Sequence, residues 1–192
     1  MIFYSPYGVL SQFTASGNEK TLKDFHFPSR VYPVGRLDKD SEGLLLLSDD
    51  PRIVSYLLEG PHKHARSYYV QVEGIPDEKA LRALRQGPHL GDFKAAPCQV
   101  ELLLQEPSLP PRNPPIRFRQ SIPTSWLKMT LWEGKNRQVR RMTAKIGYPT
   151  LRLVRFRIGD LTLENFPLRP GEWKDVDIKF ILEGICKEDY FR

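Results

Sequence analysis

The chain is 192 residues long, 40% hydrophobic and 27% charged, which excludes a disordered chain and suits one large domain or two tightly fused halves around a real core. Twenty-nine Lys and Arg against 23 Asp and Glu leave a formal charge of +6, favouring polyanionic partners without choosing among them. Cys98 and Cys186 have neither CxxC spacing nor histidines at ligand spacing, residues 1–6 lack a signal core, and no apolar run approaches the roughly 20 residues of a membrane span, so a soluble cytoplasmic protein without a metal site is expected.

In chain order, the first informative stretch is Val34-Gly35-Arg36-Leu37-Asp38-Lys39-Asp40-Ser41-Glu42-Gly43, which leads into Leu44-Leu45-Leu46-Leu47, a buried strand. Glycine at both ends suits a loop that holds Asp38 in one pose, with Arg36 near enough to engage the same ligand. Asp50-Pro51 then reads as an N-cap and first helical residue, and Ile53, Val54, Leu57 and Leu58 recur at helical spacing until Gly60. Residues 67–73 alternate as a strand, with Tyr68, Val70 and Val72 on one face. Asp77 begins a helix bearing Leu81 and Leu84 and stopped by Gly87, and Cys98, Val100, Leu102 and Leu104 then alternate as a strand. The proline-rich segment at about 105–116 cannot be a central strand or a helix interior, and reads as an extended surface connection between two halves. Strand-like stretches follow over 126–132, 150–158, 161–163 and 173–179. The sum is α+β, a large, mostly antiparallel mixed sheet with flanking helices.

Residues 112–157 hold twelve basic side chains opposed by Glu133 alone. Within them residues 136–146 read as a helix closed by Gly147, with Arg137, Arg140, Arg141 and Lys145 on one broad face and Val139, Met142 and Ile146 on the other. Gly134-Lys135-Asn136 offers backbone N–H groups and a positive dipole end before that helix. A solvated basic face is the bland reading, but this density of arginine favours forked hydrogen bonds to RNA or DNA. From residues alone, the chain is a nucleic-acid-binding α+β protein with an arginine-flanked carboxylate.

The order and spacing of Gly35-Arg36-Leu37-Asp38, Arg66-Ser67-Tyr68-Tyr69-Val70 and the run from Glu133 to Met142, continuing from Gly147 through Arg155 to Gly159, resemble the pseudouridine synthases of the RsuA branch over nearly the whole chain. Leu10-Ser11-Gln12-Phe13-Thr14 and Lys20-Thr21-Leu22-Lys23 are similar to the subfamily that modifies large-subunit ribosomal RNA and has no S4 domain, implying a single catalytic domain over 1–192 made of two fused subdomains. The chain departs from its relatives at Ser5 and Arg66, where lysine is common.

The resemblance implies isomerisation of a uridine, without cofactor or metal, in ribosomal RNA, 23S RNA or its assembly intermediate, with no obligate protein partner. The N-glycosidic bond breaks, the base rotates while bound, and a carbon–carbon glycosidic bond forms. Asp38 matches the family nucleophile, attacking either the ribose anomeric carbon or the pyrimidine ring. Arg140 matches the basic partner that keeps the carboxylate ionised, and Tyr68 would stack on the base and handle its C5 proton. The uridine must be flipped out, and Arg36 would fill the vacancy or grip the flanking phosphate. Lys135, Asn136, Arg137, Arg141, Lys145 and Arg155 are the further expected RNA contacts. Two rivals remain at this stage: a metal-dependent nuclease using Asp38, Asp40, Glu42, Asp49 and Asp50, and an RNA-binding module without chemistry.

Overall fold

A computed structural model describes residues 1–51, 53–54, 64–116, 122–177 and 179–180. The chain divides into two compact units, Met1–His64 with Arg155–Arg192, and Ala65–Val154.

The first unit is organised around β5 (Glu42–Ser48), which pairs antiparallel with β1 (Ile2–Ser5), Ile2 opposite Leu46 and Ser5 opposite Gly43, and with β4 (Tyr32–Val34), Val34 also opposite Leu46. β1 pairs in turn with β11 (Trp173–Lys174). Four consecutive leucines suit β5 because both of its faces are covered. Leu44 and Leu46 join Ile2, Val34, Ile158 and Phe166 in one core, while Leu45 and Leu47 join Phe3, Val9, Leu22, Val31 and Leu37 in another. Phe3 meets Phe25 and Phe27 edge-on, with centroids 4.9 and 5.1 Å away. β2 (Val9–Leu10) and β3 (Lys20–Thr21) form a short parallel pair, after which Thr21 and Asp24 close a capping box on a 3-10 turn at Leu22–Phe25.

The structure departs from expectation at two places in this unit. Glu42, which the sequence places in the loop ahead of the leucine strand, is 2% exposed, because β5 begins two residues before the leucines. The strand expected over 173–179 ends at Lys174, where Asp175 and Asp177 accept hydrogen bonds from Val176 N and Lys179 N, competing with a sheet ladder. The helix expected after Asp50 has helical Pro51, Ile53 and Val54, and its remainder lies outside the described residues.

In the second unit β6 (Arg66–Glu73), β8 (Thr124–Leu131) and β7 (Gln99–Leu103) run antiparallel in that order, with Tyr68 opposite Met129 and Val70 opposite Leu127. The helices α1 (Glu78–Arg85) and α2 (Gln138–Lys145) bring Leu81, Leu84, Val139 and Met142 onto a core with Val70, Val72, Val100, Leu127 and Met129. Asp77 caps α1 by accepting from Ala80 N at 2.8 Å. Cys98 sits in this core, donates to Leu84 O at 3.2 Å, and has its thiol pushed up to about 12, first by burial and then by the Glu133 carboxylate. The proline-rich segment lies wholly within this unit. It joins β7 to its own antiparallel partner β8, a long hairpin loop rather than the expected connection between halves. Arg152 ties it down through Pro110 O at 2.7 Å.

β9 (Thr150–Ile158) is divided between the units after Val154, and its end pairs with β10 (Leu161–Thr162). Among the described residues no helix is long and apolar enough to cross a membrane.

Candidate active site

On the first unit the chain from Leu37 to Lys39 is held by every carbonyl it offers. Leu37 O accepts from Ser11 Oγ at 2.9 Å, Asp38 O from Ser41 N at 2.9 Å, and Lys39 O from Gly8 N at 2.8 Å. Leu37 N also donates to Ser11 Oγ at 3.0 Å. The Leu37 side chain is buried in the core beneath, an anchor of about 2 kcal/mol. Gly35 and Gly43 both take positive φ, +78° and +106°, so the loop bends at the two places the sequence marks. At Gly43 a Cβ would lie 2.2 Å from Arg155 O, which no side chain tolerates. Asp38 is thus half-buried on a fixed backbone. Arg36 is exposed, its Nη2 donating to Gln12 Oε1 at 2.9 Å, and Lys39 pairs with Glu19 at 3.1 Å.

On the second unit Tyr68 packs its ring, half-buried, against the core beside β6. Residues 133–138 form an ordered turn into α2. The buried Gln138 accepts from Lys135 N at 3.0 Å and donates to Glu133 Oε1, which also accepts from Ala96 N at 2.7 Å. Arg137, in the left-handed region at φ 50°, starts the helix. Lys135, Asn136, Arg137 and Lys145 are exposed, a short cationic surface at and along the helix. Arg140 is half-buried and donates to Thr150 O at 3.3 Å, at the start of β9.

Two of the expected RNA contacts have partners within the protein. Arg155 is 5% exposed, and its Nε donates to Leu44 O at 2.8 Å, inside the first unit. Arg141 grips both oxygens of Asp92 and Leu90 O and lies over the Phe93 ring, and those hydrogen bonds hold the Asp92 carboxyl below the ordinary carboxylate range. Arg152 is also buried, and Arg157 is engaged by Asp160 at 3.2 Å. Much of the basic density in the sequence is therefore structural, arginine stems burying while their forks satisfy carbonyls and carboxylates.

Residue reading missed Ser11, Gln12, Glu133 and Gln138 as organisers of these loops. The pair Glu133 and Gln138 carries a faint signal, two polar side chains bracketing a glycine turn. Ser11 carries none, since its partner lies 26 residues away.

The fold is that of solved pseudouridylate synthases: a crystal structure of a pseudouridylate synthase superposes with a TM-score of 0.77 at 23% identity, over 96% of this chain and 72% of that one. The sequence makes the assignment. The model of the RNA pseudouridylate synthase family matches residues 1–145, and the chain belongs to that family. It is 52% identical to ribosomal large subunit pseudouridine synthase E of Vibrio vulnificus (strain CMCP6), over 93% of this chain and 75% of the relative. It is 47% identical to the protein of the same name in Xanthomonas campestris pv. campestris, over 94% and 97% of the two chains. Ribosomal large subunit pseudouridine synthase B of Bacillus subtilis (strain 168) is 36% identical over 91% of this chain. The protein is accordingly an isomerase, a pseudouridine synthase.

Proposed function

We propose that this chain converts a specific uridine of large-subunit ribosomal RNA, the 23S RNA of bacteria, to pseudouridine, and that it does so in the cytoplasm as one catalytic domain with Asp38 as nucleophile. The observation that carries the RNA assignment is the 47% identity to a large-subunit synthase E that spans nearly the full length of both chains. The choice of Asp38 is supported by its match to the family aspartate and by the backbone bonds at residues 37–39 that fix its position.

An ionised Asp38 attacks the extruded nucleotide, the bond between N1 of uracil and C1′ breaks, and the base turns to present C5. A bond then forms between C5 and C1′, the bond to the Asp38 carboxylate breaks and frees it, the C5 proton is lost, and N1 ends protonated, so atoms balance without oxidant or cofactor. Tyr68 and Arg140 are carried as catalytic partners by the strand and helix motifs they occupy, and Arg36, Lys135, Asn136, Arg137 and Lys145 as RNA contacts. Arg141 and Arg155 are not among the contacts proposed: Arg155 is 5% exposed, and Arg141 holds both oxygens of Asp92 together with Leu90 O.

The target is tested by carbodiimide adduct mapping of ribosomal RNA from source cells lacking the gene. The expected result is loss of a single stop in the large-subunit RNA, restored by the wild-type gene. An unchanged large-subunit profile contradicts the proposed substrate.

A further inference from the structure

We infer that Ser11 is a positioning residue for the reaction, setting the pose of Asp38 through the backbone of Leu37; this rests on the reading of Asp38 as nucleophile. Ser11 is 4% exposed, and its one hydroxyl both donates to Leu37 O at 2.9 Å and accepts from Leu37 N at 3.0 Å, as the backbone of a paired strand would. Two further bonds to this stretch, from Ser41 N and Gly8 N, are made by backbone. Ser11 thus grips, through its side chain, the peptide immediately before the reacting carboxylate. The adjacent Gln12 extends the clamp, its Oε1 accepting from Arg36 Nη2 at 2.9 Å while its backbone carbonyl accepts from Leu22 N at 2.9 Å. Residues 11 and 12 therefore hold residues 36 and 37 from a strand end rooted in the core formed by Val9 and Leu22. A covalent step demands near-attack placement, and an error of about 1 Å costs on the order of 100-fold in rate.

The test is the single-turnover rate on large-subunit RNA, with RNA affinity by gel shift, for Ser11→Ala, Ser11→Cys, Ser11→Thr, Asp38→Asn and a control, Val100→Ala, in the core of the second unit. Ser11→Ala is expected to lose about 10- to 100-fold in rate with affinity unchanged. Ser11→Cys, which is slightly larger and bonds weakly, loses less in the same direction, and Ser11→Thr, which keeps the hydroxyl, recovers most of the rate. The inference is overturned by a wild-type rate in Ser11→Ala or, should that variant not fold, in Ser11→Cys. It is equally overturned if Val100→Ala, at matched melting temperature, loses as much rate. Activity in Asp38→Asn would instead remove the nucleophile reading. An inactive Asp38→Asn beside a fully active Ser11→Ala leaves that reading standing and ends this one.

Discussion

Replacing Asp38 by Asn is expected to lower the rate of pseudouridine formation by about 10⁴-fold or more while leaving the fold and the affinity for RNA unchanged. The amide is isosteric with the carboxylate but neutral and weakly nucleophilic, so the covalent step is lost with almost no change in shape. The fold survives because the loop is held through backbone groups: Leu37 by the Ser11 hydroxyl, Asp38 O by Ser41 N and Lys39 O by Gly8 N. The measurement is single-turnover product formation beside a thermal melt and a gel shift. Loss of activity accompanied by loss of binding or of cooperative melting would show a structural role for Asp38 instead of a chemical one. Undiminished activity in Asp38→Asn would place the nucleophile elsewhere.

Gly43→Ala should strongly destabilise the first unit. Gly43 combines φ +106° with an Arg155 carbonyl oxygen 2.2 Å from where its Cβ would lie, and Arg155 C and N each at 2.9 Å. Neither obstacle can yield alone: a different φ would break the pairing of Gly43 with Ser5, and moving Arg155 would disturb the bond from its Nε to Leu44 O. We expect a cost of about 4 kcal/mol or more, at the level that marks backbone strain combined with overpacking, and a melting temperature lower by about 10 °C or more. Gly91→Ala is the matched control, since Gly91 has φ +96° but nothing within 4 Å of its Cβ position. Strain alone there should cost about 1–2 kcal/mol. Equal melting temperatures for the two variants would refute the close approach at Gly43.

How far the sequence could be read depended on how local the controlling interaction was. The run of four leucines, the alternation at Tyr68, Val70 and Val72, and the Asp77 cap with Leu81 and Leu84 are local patterns, and each became the element it suggested. Gly35 and Gly43 announced the bends of the Asp38 loop, and both have positive φ. What the sequence hid was the partner of each charged or polar group. Arg155 looks like a surface cation and is buried on Leu44 O, 111 residues away, while Arg141 is spent on Asp92, 49 residues away. Glu42 looks like a loop carboxylate and is buried in β5. Charge density alone does not separate an arginine that binds a polyanion from one that satisfies buried carbonyls, because the same fork serves both. The proline-rich segment was correctly denied a place in a strand, but proline content does not say whether a connection joins two units or two neighbouring strands.

Release of tritium from large-subunit ribosomal RNA carrying uridine labelled at C5, followed in excess chelator, tests the central claim most directly. Forming the bond from C5 to C1′ expels the C5 hydrogen. The wild-type protein should therefore release label to a plateau matching a single uridine per RNA molecule, with or without chelator. Binding without release, from naked RNA and from assembly particles alike, would contradict uridine isomerisation in this RNA.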